Sequence, residues 1–254
     1  EGGDSGISVN NGIADATLDK GIVSTATFGF GIGDGLSASR TGSTVKGLAV
    51  DASSSHVISS DLATVGVSGS ISISGTVNVN RVKGSTEASI SDSTGTHNIN
   101  NGTGAVAVKA TDYAYAGAFV GNISGSGSAA LGAASDFEVF DRNVKASVAG
   151  NAKTDKNLSM TAGDVSIGAT SKQGVSSLLV GGSFSGTGSL AAGITSFIQK
   201  SVVTASTEHL TATADKFDLT ADHYASLGQG NNNIAVGANV GVGATFAILS
   251  DTNK

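Results

Sequence analysis

The chain has 254 residues with 37 Gly, no Pro, Cys or Trp, and a formal net charge of −6 at neutral pH. The lack of Cys excludes disulfide scaffolds, thiolate metal sites and cysteine nucleophiles, and the acidic balance argues against nucleic-acid binding. The abundant small residues disfavour helices, whereas a hydrophobic content of 39% is too high for a disordered chain.

The first 47 residues contain a partial match to a calcium-binding repeat, Gly29-Phe30-Gly31-Ile32-Gly33-Asp34. Such repeats bind calcium only when they are stacked in tandem. This match occurs once, with Phe at a position that requires Gly. We therefore predict no calcium site here, and no motif elsewhere indicates a metal or a cofactor.

Apolar residues alternate with small residues, most of them polar, along the runs 65–79, 178–198 and 234–248. This alternation predicts β-strands with one buried face. Alternate residues of a strand point to the same face, and one face is buried. We therefore expect the apolar set of alternate residues to point into a single stacked interior. The residues predicted to form that interior include Val65, Ile71, Val79, Val120, Val180, Phe184, Ile194, Val236, Val242 and Phe246.

A longer period overlies the alternation. An apolar-x-Ala motif recurs with its alanines at Ala52, Ala110, Ala169 and Ala221, which are 58, 59 and 52 residues apart. A period of this size is typical of repeat architectures, whose units bury their apolar surface by stacking. We predict one segment, 1–254, with a degenerate unit at 1–47 and four repeat units at approximately 48–103, 104–163, 164–216 and 217–254.

These features favour an all-β fold, a right-handed parallel β-helix or β-solenoid. We expect each unit to supply about three coils of roughly 20 residues, with Gly and Ser at the corners. A propeller is disfavoured because the hairpin and aromatic signals of its blades are missing.

Two stretches, VAVKATDYAYAGAFVGNISGSGSAALGAAS (106–135) and VSIGATSKQGVSSLLVGGSFSGTGSLAAGITS (165–196), resemble the repeats of large bacterial autotransporter adhesins. They are most similar to those of the leukotoxin-like filamentous adhesins of fusobacteria. The resemblance implies a secreted β-helical passenger on the bacterial cell surface, anchored in the outer membrane through the β-barrel translocator of the parent protein. It also implies a role in cell adhesion and virulence, and this chain would be an internal passenger segment.

Parallel β-helices also carry carbohydrate-active enzymes, which need converging carboxylates. The densest charged stretch contains Asp136, Glu138, Asp141, Arg142 and Lys145, and the shared parity of Asp136 and Glu138 predicts a place on one outer face. The corresponding stretch of the next unit lacks the acids, so we interpret this face as solvated. The four histidines have no metal-binding spacing. We predict no catalytic residues and no metal site.

A short polar or aromatic segment follows each alanine motif, and these segments contain all three tyrosines. If the units stack in register, these segments lie on one side of the rod, where Tyr, His and Gln suit contact with sugars or receptor side chains. We predict that they are loops. Two roles are open for them: either they contact a receptor, or they are solvated loops whose Tyr rings cover neighbouring apolar surface and the segment is only a stalk. The predicted binding residues are Tyr113, Tyr115, Lys172, Gln173, His223 and Tyr224.

Three functions follow from these observations. The first is a non-enzymatic, monomeric adhesin segment that contacts a protein or glycan receptor on a host or bacterial cell. The second is a β-helical carbohydrate-active enzyme, for which only 136–145 is a candidate site. The third is the head of a trimeric autotransporter, suggested by the stretch NNNIAVGANVGVGA at 231–244.

Overall fold

The computed structural model describes residues 37–40, 43–92 and 98–253. These ranges contain strands and no helix, and hence no helix long and apolar enough to cross a membrane. The strands in chain order are β1 Ser37–Arg40, β2 Ser43–Ser68, β3 Ile71–Ser91, β4 Asn98–Asn100, β5 Ala105–Ser126, β6 Ala129–Ala149, β7 Leu158–Thr161, β8 Asp164–Ser185, β9 Gly188–Glu208, β10 Leu210–Thr213, β11 Lys216–Gly237 and β12 Val240–Asn253.

The long strands stack into two facing sheets, with the orders β1-β2-β5-β8-β11 and β12-β9-β6-β3. The short strands form a third sheet, β10-β7-β4. All neighbours pair in parallel except β1 and β2. The chain is therefore an all-β parallel β-helix, which confirms the predicted fold class.

One coil of this helix is larger than predicted. Ala52 pairs with Ala110, Ala110 with Ala169, and Ala169 with Ala221, so the alanine motifs lie in register one coil apart. A coil thus takes a whole repeat, and the expectation of roughly 20-residue coils is wrong for the described part of the chain. The reason is that glycines within the alternating runs, which were expected at corners, also lie inside long strands, as Gly75 does in the 21-residue β3.

In each coil a two-residue turn joins the two long strands, as Gly69-Ser70 joins β2 to β3. The end of the coil away from this turn, which we call the wide end, holds a hydrophobic core. Here the third sheet separates the two long sheets and leaves room for large side chains. The core residues come from all three sheets and include Leu48, Val50, Ile90, Val106, Val108, Val148, Leu158, Met160 and Ile167. All of them are at most 5% exposed, so conventional burial of apolar side chains stabilises this end.

The other half of each coil, which we call the turn end, comprises residues 58–80, 116–138, 175–197 and 227–249. Its two sheets approach so closely that the Oγ1 atoms of Thr64 and Thr76 are hydrogen-bonded across the interior at 2.7 Å. A Cβ atom placed on Gly66 would lie 3.0 Å from the Cβ of Ser74. The interior of the turn end therefore accepts mainly small side chains, and Ser, Thr, Asn, Ala and Gly fill most of it.

The predicted apolar interior is wrong at the turn end. Of its ten members only Val120 is fully buried. Val180 and Ile194 are half-buried, and the rest are exposed, namely Val65, Ile71, Val79, Phe184, Val236, Val242 and Phe246. The alternation identified the two faces of each strand correctly. The gap between the sheets is narrow, however, so the face with the small side chains is the one that points inside. The large aliphatic residues point outward.

Candidate functional site

The outer face of the first long sheet carries a row of aromatic and basic side chains where the turn end meets the wide end. Tyr113 on β5 pairs with Lys172 on β8, which pairs with Tyr224 on β11. Parallel in-register pairing places side chains of the same parity side by side on one face. Three residues from three repeats are thereby brought into one line.

These side chains line a groove of about 330 Å³ that also includes Tyr115 and Ser226. The Tyr115 ring lies against the neighbouring strand, because a Cβ on its pairing partner Gly174 would be 3.0 Å from Tyr115 Cδ2. The Lys172 Nζ atom lies 5.9 Å from the centre of the Tyr224 ring, within the range of a cation–π contact. Gly174 thus leaves the space that lets Tyr115 lie flat and form the groove wall.

The groove offers aromatic faces, phenol hydroxyls and one ammonium group to a ligand. Tyr113 and Tyr224 are 42% and 56% exposed, so their rings can stack on the apolar face of a sugar or on a planar side chain. Their hydroxyls and Lys172 can form hydrogen bonds at the ligand's edges. This arrangement suits binding and contains no nucleophile paired with a base.

Two predicted binding residues lie on the opposite face of the same sheet. Gln173 is 4% exposed, and its Nε2 donates to Ser171 Oγ at 3.1 Å and to Ser201 Oγ at 2.5 Å. His223 is hydrogen-bonded to Gln199 across the interior, and burial lowers its pKa. The side chains of Gln173 and His223 therefore point away from the tyrosines, although Gln173 itself borders the groove. The segments predicted to be loops lie within long strands.

Directly behind the groove, the interior holds a buried ion pair that the sequence reasoning missed. Arg142 on β6 donates through Nε to Asp112 Oδ2 at 3.0 Å and through Nη2 to Oδ1 of the same carboxylate. Its Nη2 also donates to Ser54 Oγ at 3.0 Å, and Ser54 in turn donates to Asp112 at 2.5 Å. Both charged side chains are fully buried, so this bidentate pair connects the two long sheets.

A second buried polar cluster contains the acidic residues that were predicted on an outer face. That prediction is wrong, because Asp136 and Glu138 are each 1% exposed and point between the sheets. Asn78 Nδ2 donates to Asp136 at 2.7 Å and Asn80 Nδ2 donates to Glu138 at 2.8 Å. Burial, together with the nearby Asp136, raises the pKa of Glu138 to about 8. The acid pair is enclosed and does not line an open groove.

The remaining titratable candidates do not assemble into a further site in the described ranges. No three His, Asp or Glu side chains converge there as a metal site would require. His56 lies in the interior, where burial and the nearby Arg142 lower its pKa, and His209 contacts Asp155 at 3.3 Å. His97 and the motif at 29–34 lie outside the described residues.

Comparison with protein-family models, with curated proteins and with solved structures gives no significant match.

Proposed function

We propose that the chain is a non-enzymatic, surface-exposed segment of a bacterial autotransporter adhesin, displayed on the cell surface through its parent protein. In this proposal the β-helix is a rod, and the groove lined by Tyr113, Tyr115, Lys172 and Tyr224 contacts a receptor on a host or bacterial cell. The observation that carries the proposal is the register that gathers these side chains from three repeats onto one outer face.

The flatness of the groove supports recognition of a cell surface rather than of a small metabolite. Metabolite pockets enclose most of their ligand, whereas this groove lies open on a sheet. Aromatic contacts of this kind contribute on the order of 1 kcal/mol each. Many such contacts along a long rod would add up through avidity. The repetitive sequence supports the same interpretation, because related units can display related surfaces.

Replacing Tyr113 and Tyr115 together by Ala is expected to weaken binding about thirtyfold. The physical reason is the loss of two stacking contacts of about 1 kcal/mol each. Binding is measured on immobilised glycans and on cultured epithelial cells. Because the groove is on the outer face, strand content and the midpoint of urea unfolding should stay nearly unchanged.

The matched control replaces both tyrosines by Phe. The rings can still stack, so this variant should retain most of the binding, and the residual loss reports on the hydroxyl groups. Unchanged binding by the Ala variant would contradict the proposal. A large loss of stability in that variant would show that the rings serve the fold instead.

A further inference from the structure

The outer surface of the turn end is apolar on both of its opposite faces. On the first sheet the outward residues include Val65, Val67, Phe119, Ile123, Leu178 and Phe184, and on the second Ile71, Ile73, Val77, Val79, Leu131 and Leu190. All of them are at least 36% exposed. An apolar surface of this extent on a protein marks a site of contact with another apolar phase.

Charge is nearly absent from this surface and returns abruptly at its border. The turn end contains three charged residues, Asp61, Asp136 and Glu138, and the last two point into the interior. Just beyond the border on one sheet the outer face carries Arg81 and the row Lys83-Asp141-Lys200, in which three of the four charged groups are basic. The tyrosine groove with Lys172 lies at the border on the other sheet. Tyr and basic residues at the edge of an apolar band are typical of side chains placed at membrane headgroups.

The dimensions of the apolar band fit a bilayer. From residue 58 to the end of β2 at Ser68 there are eleven residues, which at about 3.3 Å per residue span about 36 Å. The hydrocarbon core of a bilayer is about 30 Å thick. Two-residue turns form the tip, namely Gly69-Ser70, Gly127-Ser128, Gly186-Thr187 and Ala238-Asn239. Each turn exposes backbone groups, and three of the four carry a hydroxyl side chain, so polar groups lie at the far end of the band.

We propose that the turn end embeds in a lipid bilayer, with the tyrosines and basic residues at the headgroups and the polar interior enclosed between the two sheets. A second copy of the chain would cover one face and leave the opposite face in water, whereas lipid surrounds both faces at once. This inference rests on the apolar faces of the turn end and does not depend on receptor binding by the tyrosine groove.

Insertion has a consequence for the edges of the sheets. In the described part of the chain, β3, β11 and β12 are edge strands, and β2 pairs on its outer side only with the short β1. Unpaired backbone groups are costly in hydrocarbon. Inserted chains are therefore expected to stack edge to edge, and chemical cross-linking on vesicles should capture multimers.

Flotation with vesicles of phosphatidylcholine and phosphatidylglycerol tests the proposal. The wild-type chain should float with the vesicles, and Val77→Lys should lower its partition at least about thirtyfold, because a Lys near the middle of the bilayer opposes insertion. Val77 is 66% exposed in water, so its replacement should not unfold the chain. Thr111→Lys adds the same charge on the exposed outer face of the wide end and should float like the wild type.

Insertion is distinguished from adsorption by a fluorescent label, since the chain has no Cys of its own. An environment-sensitive dye on Ile73→Cys should shift to the blue when vesicles are added, and the same dye on Lys109→Cys should not. A shift at neither position, or at both, would overturn the proposal. So would a wild-type chain that ignores vesicles and forms an oligomer in solution that Val77→Lys dissociates, because a second copy would then be the occupant.

Discussion

Replacing Arg142 by Met is expected to destabilise the chain by about 3–5 kcal/mol, the usual cost of leaving one partner of a buried ion pair alone. The substitution keeps most of the side-chain volume but leaves the Asp112 carboxylate between the sheets without its guanidinium partner. The measurement is the free energy of unfolding in urea, followed by far-ultraviolet circular dichroism.

The double variant Arg142→Met with Asp112→Asn provides the control. It removes both charges, so it should recover most of the stability that the single variant loses. Equal losses in the single and double variants would mean that the ion pair contributes packing volume and not charge compensation. Asp141→Asn, which changes a partly exposed carboxylate 3.9 Å from Lys83, should change stability by no more than about 1 kcal/mol.

Raising the pH through the neutral range is expected to weaken the fold through Glu138. The pKa of this carboxyl is about 8 in the folded chain against an ordinary value of 4.5. Between these values the folded state keeps a proton that the unfolded state has released, so stability falls as pH rises and levels off above the folded pKa. The expected loss is a few kcal/mol, since a tenfold difference in proton affinity between the two states corresponds to about 1.4 kcal/mol.

The Glu138→Gln variant isolates this effect from all other titrating groups. Gln keeps an oxygen that accepts from Asn80 and carries no charge. The difference in unfolding free energy between variant and wild type should therefore grow with pH in favour of the variant. A difference that stays constant from acidic to alkaline pH would show that Glu138 does not titrate with a raised pKa.

Local sequence pattern predicts the strands of this protein well. Alternation gave the strand character of 65–79, 178–198 and 234–248, and the spacing of the alanine motifs gave the stacking of repeats that the pairing of Ala52, Ala110, Ala169 and Ala221 shows. Alternation does not show which of the two faces points into the interior. That depends on the distance between the sheets, which is set by contacts such as Thr64 with Thr76 across the coil.

The candidate sites were predictable to different extents. The in-register stacking of the repeats alone brings Tyr113, Lys172 and Tyr224 together. Their residue types, aromatic and basic, were sufficient to predict them as binding residues. The buried clusters carry a different sequence signal, because Ser54 and Asp112, Asn78 and Asp136, and Asn80 and Glu138 are all bonded pairs separated by 58 residues. A polar residue that lies one repeat length from an acidic residue therefore indicates a buried hydrogen bond between neighbouring coils.

The two-residue turns also constrain how repeats of this kind can change length in evolution. From the alanine motif to the first residue of the second long strand the distance is 19 residues in every repeat, as from Ala52 to Ile71 and from Ala169 to Gly188. All variation in repeat length falls between the second long strand and the next motif. Inserting one residue within a long strand would turn every following side chain to the other face. Peptide grafts should therefore be accepted at 152–157, where the connection is exposed, and rejected within the strand–turn–strand unit.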